Sequence, residues 1–157
     1  MRIGTGMGLG LALVGLAALV VVWGLAFGFP GRRPQGLGVR DGALAPCPRS
    51  PNCVSSFATA APWAIAPLPL AGEPEAAMAR ARAIVEAWPR TRVVAAEGHY
   101  LRAEQASRRF GFVDDLELLA DPRAGVIHVR SAARLGWGDH GVNRARVERL
   151  RRALERP

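Results

Sequence analysis

The strongest constraint on the fold is a pair of alternating segments, Phe112–Leu119 and Gly125–Ser131, flanking ADPRA. Apolar and polar side chains alternate in both, as in strands with one packed face. Setting Leu119 opposite Val126 places Leu118 against Ile127 and Leu116 against Val129, a continuous apolar face. The other face then pairs Glu117 with His128 and Asp115 with Arg130, each an opposite-charge or hydrogen-bonding match. A slip of one residue would set apolar side chains against charged ones. An antiparallel hairpin in that register is the expectation.

Two shorter strands, Thr91–Ala96 and Tyr100–Ala106, precede it, joined by EGH, where Gly98 suits a tight turn. Pro74 to Trp88 reads as a helix. Proline and glutamate suit its first turn, Ala77, Ala81, Ile84, Val85 and Trp88 form its stripe, and Pro89 stops it. Asp139 can cap a last helix, His140–Glu155, with Val147, Leu150 and Leu154 buried and Asn143 and Arg146 on the same side. In the proline-broken APWAIAPLPLAGEP, Trp63, Ile65, Leu68 and Leu70 suit an extended run along the core. Helix, four strands, helix predicts an α+β domain: a four-stranded antiparallel sheet with two helices packed on one face.

The N-terminal part has a different composition. No charged residue occurs from Ile3 to Gly31, and Leu9–Phe29 is almost wholly apolar, long enough as a helix to cross a bilayer core of ~30 Å. A transmembrane helix is expected, with a cleaved signal peptide as the alternative. Arg2 serves either, Ala26 and Gly28 suit a cleavage site, and Trp23, Phe27 and Phe29 suit an interfacial belt. Gly4, Gly6, Gly8 and Gly10 offer weak helix contacts. The expected division is an anchor over 1–31, a Gly/Pro-rich flexible tether over 32–46 and an α+β domain over 47–157.

Cys47 and Cys53 lie in CPRSPNC, with no histidine nearby and a spacing unlike a zinc site or a redox pair. A disulfide is expected; unpaired thiols and metal or redox use are the alternatives. Arg32, Arg33 and Arg40 slightly favour a cytoplasmic domain by charge bias, whereas a disulfide favours the extracytoplasmic side of a plasma membrane. The latter is the expectation. The net charge of +8 comes from 21 arginines and no lysine. Eight arginines fall between Arg130 and Arg156 against Asp139, Glu148 and Glu155, a local excess that favours anionic headgroups, phosphates or an acidic partner. No aromatic platform or motif points to nucleic acid. His99 and His128 lack metal-ligand spacing, and nothing points to a cofactor.

Three stretches, CPRSPNCVSS (47–56), FGFVDDLELL (110–119) and VRSAARLGWGDHGVNRARVE (129–148), together resemble domain-of-unknown-function family 1499, a group of bacterial and plastid proteins. The resemblance runs from Cys47 to Leu154. It implies an envelope or organelle-membrane setting and supplies no settled activity. Ala133 and Gly138 stand where the family has serine or a similar residue, so neither place carries a catalytic hydroxyl here.

Within these stretches Asp114 falls on the apolar face opposite Ser131 and needs a partner, since a lone buried carboxylate is very costly. Arg134, Asn143 and glycine-loop amides are the candidates, and Asp114, Arg134, Asn143 and Arg146 are expected to converge behind the loop. Asp139 as a cap would occupy the amides that a phosphate loop needs, while Arg130, Arg134 and Arg144 remain available to an anion. Ser131 lacks a nucleophile-elbow context. The expected ligand-binding set is Asp114, Arg130, Arg134, Asp139, Asn143 and Arg144, in a membrane-anchored envelope domain binding a lipid, an anionic ligand or a protein. An enzyme using Asp114, Asp139, His140 and the arginines, and a structural subunit of a membrane complex, are the alternatives.

Overall fold

The computed structural model describes residues 5–27 and 30–156, with side chains over 10–24 and from 30 onward. Helix α1 covers Thr5–Phe27. The strands are β1 (Val39–Arg40), β2 (Ala43–Leu44), β3 (Cys53–Ser55), β4 (Leu68–Pro69), β5 (Thr91–Glu97), β6 (Tyr100–Ala106), β7 (Val113–Asp121) and β8 (Val126–Ala133). Helix α2 is Pro74–Glu86 and α3 is Val142–Leu154.

The transmembrane part of the expected architecture is corrected: among the described residues no helix is long and apolar enough to cross a membrane. Arg2, Gly4, Gly28 and Phe29 lie outside the described residues, as do the side chains at Ala26 and Phe27.

The sheet is also corrected, from four strands to six. Its order is β3-β8-β7-β6-β5, and β4 pairs with β8 as well. Strands β3 and β4 share one edge of β8, against Arg130–Ala132 and Val126–Ile127 respectively. They are too short to show any periodicity, and they lie in the proline-rich stretches. They form because the N–H and C=O groups on the outer edge of β8 would otherwise have no partner. Residues Val39–Arg40 and Ala43–Leu44 of the stretch expected as a tether pair as a separate hairpin, and Leu44 is buried.

The β7–β8 hairpin forms with its register two residues from the expected one: Leu118 faces Val129, Glu117 faces Arg130 and Leu116 faces Ser131. A shift of two preserves which side chains share a face, so the apolar row survives it. The turn sets the difference. Asp121 Oδ1 accepts the N–H groups of Arg123 and Ala124, and Gly125 takes a left-handed φ of 66°, so the loop closes at the Asp121–Val126 pair.

Both helices cover one sheet face. Ala77, Ala81 and Val85 of α2 and Val147, Leu150 and Leu154 of α3 meet Leu101, Leu116, Leu118, Ile127 and Val129 in one core, joined by Ile65 and Leu68. At about 1.5–3 kcal/mol per large buried side chain, this layer is the main source of stability.

Candidate functional site: a cleft over a polar clasp

Strand β7 reads VDDLELLAD, and both of its faces are buried along the middle. On the face away from the helices the cross-strand rows run Arg130–Glu117–Arg102 and Ala132–Asp115–Glu104. Asp115 and Glu117 are 1% and 0% exposed, so each requires compensation. Arg134 supplies it to Asp115 through two hydrogen bonds of 2.8 and 2.9 Å and approaches Glu104 at 2.6 Å. Arg130 reaches Glu117 at 3.2 Å, while the Tyr100 hydroxyl and the Gly38 N–H donate to its other oxygen at 2.9 and 2.8 Å. Burial and the Glu117 carboxylate raise the Tyr100 phenol, which stays a donor. The hydrogen bond to Asp115 raises Arg134, so its charge is permanent. Burial pushes Glu104 up, but the bonds from Arg33 and Arg134 outweigh it and leave Glu104 below the usual carboxylate value.

A second polar group lies at the end of the helix-facing side. Asn143, on the first turn of α3, is fully buried. Its Oδ1 accepts from the Ser131 hydroxyl at 2.6 Å and from Arg146. Its Nδ2 donates to the Asn52 carbonyl at 3.0 Å and to Asp139 Oδ2 at 2.9 Å. Arg146 also donates to Gln105 Oε1 and Ser131 Oγ, at 2.8 and 2.9 Å, and pairs with Asp114. This clasp ties β8, β7, β6, the disulfide segment and α3 together. It forms because His140 and Gly141 adopt left-handed φ values of 52° and 79° in succession. They reverse the chain and bring the Gly141 and Asn143 N–H groups onto the Asp139 carboxylate, at 3.0 and 2.7 Å. Burial raises the Asp139 pKa, but those amides and the Asn143 side chain outweigh it and hold it below the usual value.

A cleft of about 290 Å³ opens above the clasp, walled by Phe112, Ala133, Leu135 and Val142, with Asp114, Asp139 and His140 among its polar groups. Among the described residues no arginine lines it. A larger hollow of about 380 Å³ lies beside the disulfide, between Leu44, Cys47, Phe57 and Trp63. Among the described residues Arg49 is its one titratable lining group, and no strained residue lies in it. The smaller cleft combines apolar walls, convergent polar groups and a non-glycine residue held in a left-handed conformation, so it is the candidate site.

The six expected ligand residues do not form one site. Asp114, Asp139 and Asn143 meet at the clasp. Arg130 lies on the opposite sheet face, because odd and even positions of β8 point apart, and Arg134, just past the end of β8, joins it there on Asp115. Arg144 lies outside both groups and donates to the carbonyls of Pro62 and Ala64 at 2.8 and 2.7 Å. Arg134 therefore does not join Asp114. Gln105 and Asn52 complete the clasp, and neither stands out in the sequence, since an isolated amide has no spacing pattern. Ser56, His128 and Asp121 make a further arrangement: Ser56 Oγ is 3.1 Å from His128 Nδ1, whose Nε2 is 4.0 Å from Asp121. The Val129 N–H occupies the same hydroxyl at 2.9 Å, and Phe57 stacks on the imidazole at 4.1 Å, so the group closes the β3–β8 edge. Cys47 and Cys53 form a disulfide. Among the described residues no three His, Cys, Asp or Glu side chains are placed to hold a metal ion.

Residues 43–154 match the model of a family described as "protein of unknown function (DUF1499)". The chain belongs to the DUF1499 family. No curated protein and no solved structure matches it. The DUF1499 match runs from β2 to the end of α3 and so contains both charge rows, the clasp and the cleft. Ala133 and Gly138 both line the cleft and put no hydroxyl into its wall.

Proposed function

We propose that the domain binds a small amphipathic molecule in the cleft between β7 and the glycine loop, in an oxidising, extracytoplasmic compartment. The observation that carries this reading is the lining itself: Phe112, Leu135 and Val142, each 41–50% exposed, converge on Asp114 with no arginine among the described lining residues. Apolar walls favour a hydrocarbon portion. Asp114 and Asp139, although engaged by Arg146 and by backbone amides, retain acceptor lone pairs on their carboxylate oxygens, which favours a neutral or cationic head that donates hydrogen bonds. Arg130, Arg134 and Arg146 are engaged by internal carboxylates and Arg144 by carbonyls, which weighs against an anionic head in the cleft. The disulfide supports the compartment, since such bonds persist under oxidising conditions.

The test is an amide-resolved NMR titration with decanol, decylamine and decanoate below their micelle concentrations. Shifts confined to residues 107–114 and 133–142, with decanoate weakest, are expected. A Cβ added at Gly138 would meet no neighbour within 4 Å, so Gly138→Leu should keep the fold and abolish those shifts. No saturable shifts in the cleft, or binding unaffected by Gly138→Leu, would refute the reading.

A further inference from the structure

The cleft opens between two exposed loops, residues 107–112 and 135–142. Phe110, Leu135, Trp137 and Val142 project from them, and Trp137 is 72% exposed. Phe110 and Phe112 are in ring contact, centroids 5.5 Å apart. Bulky apolar side chains gathered on loop tips are costly to leave in water and mark an interaction surface. The flanking charges are of one sign: Arg108 and Arg109 stand exposed beside Phe110, and Arg32 is exposed next to Gly31. Gly31 packs so closely that a Cβ there would lie 2.9 Å from Arg134 Cβ and 3.0 Å from Leu135 Cγ, which fixes Arg32 beside the patch. The two carboxylates that line the cleft are already engaged, Asp114 by Arg146 and Asp139 by backbone amides.

We infer that these two loops dock on an anionic lipid surface, with Trp137, Phe110 and Leu135 entering the interfacial layer and Arg32, Arg108 and Arg109 meeting the headgroups. Tryptophan is the residue type best suited to that layer, with an apolar body and one N–H for the polar region. Arginines near an anionic surface each strengthen binding about fivefold. A lipid surface fits better than a protein partner because cations ring the apolar tips, while the carboxylates beside them are engaged internally and specify no docking register. The chain also carries exposed apolar side chains along α1, which precedes Gly31. The inference rests on the cleft reading only in that the cleft opens within this surface, and the surface is scored below whether or not the cleft is filled.

The experiment uses the full chain and vesicles of phosphatidylcholine, with or without one-third phosphatidylglycerol, carrying bromine on the upper acyl carbons. The difference in fluorescence between wild type and Trp137→Phe isolates the Trp137 indole from Trp23, Trp63 and Trp88. Strong quenching of that difference signal by brominated anionic vesicles is the expected result. Replacing both Arg108 and Arg109 by glutamine should raise the anionic lipid concentration needed for half-quenching roughly 25-fold, and 0.5 M salt should raise it strongly as well. A Trp137 signal that stays unquenched while the protein co-sediments with the vesicles would overturn the inference. So would quenching indifferent to lipid charge and to both arginines. Cleft titrations with soluble amphiphiles fail or succeed separately from these outcomes.

Discussion

Replacing Asn143 tests whether the clasp organises the cleft. Asn143→Ala removes four side-chain hydrogen bonds: two to neutral groups, Ser131 and the Asn52 carbonyl, and two to charged groups, Asp139 and Arg146. At about 1 kcal/mol for a neutral bond and about 1.5–3 for a charged one, the gross loss is roughly 5–8 kcal/mol. Part is recovered, because the Asn52 carbonyl still accepts from Ala133, Asp139 still accepts from two backbone amides, and Arg146 keeps Asp114, Gln105 and Ser131. The lasting defect is a buried Ser131 hydroxyl without its acceptor, so about 3–4 kcal/mol is expected. Urea denaturation followed by near-ultraviolet circular dichroism measures it.

Asn143→Asp sharpens the test. It keeps the acceptor for Ser131 and Arg146 but sets a carboxylate against Asp139. One of that pair must then have a folded pKa above its unfolded value, so stability should fall as pH rises from about 4 to about 7. In the wild type the sign is opposite, since Asp139 is depressed in the fold. A loss under about 1 kcal/mol for Asn143→Ala, together with a pH-independent Asn143→Asp, would refute the clasp.

Asp115→Asn leaves Arg134 and Arg102 facing a neutral amide in a buried row and should cost about 3–5 kcal/mol by denaturation. The folded pKa values of Asp139 and Glu104 lie below their ordinary 3.8 and 4.5. Their contribution is therefore complete above those values and lost as pH falls through the lower folded ones, so an acid titration should show unfolding steepening below about pH 4. Joint replacement of Cys47 and Cys53 by alanine should cost about 2 kcal/mol by loop-closure entropy and leave the sheet intact, read by far-ultraviolet circular dichroism. His140→Gly should hold or raise stability by up to about 1 kcal/mol, because glycine accepts the 52° φ without strain. The same variant should weaken amphiphile binding in the cleft, and unchanged affinity would remove His140 from the site.

The amphipathic stripes of α2 and α3 and the faces of β7 and β8 were readable from residue order alone. Side-chain period depends only on local backbone geometry, so Leu116, Leu118, Ile127 and Val129 announced one face and Asp115 and Glu117 the other. The pairing of the strands was not readable in the same way. Both candidate registers keep the faces, and the choice lay with Asp121, whose side chain organises the turn. Strands β3 and β4 leave no trace in the residue pattern, because three and two residues carry no period. Of the site, Asp114 was marked by its misfit on an apolar face and Asp139 by its place before a helix. Gln105 and Asn52 gave no sign, because their role depends on neighbours 41 and 91 positions distant in the chain.

Residue order by itself determined the α+β class, the two helix stripes, the face of each long strand and the cysteine pair, all of which follow from local periodicity and short-range chain closure. Tertiary structure alone decided how the arginines were divided. Arg130 and Arg134 went to the carboxylates of one sheet face and Arg146 to Asp114 on the other, so that none of the described arginines lines the cleft. A charge near a strand end has many partners within reach, and which it takes depends on burial, which removes the competing water. That division turned a segment crowded with cations into an apolar cleft over a neutralised floor.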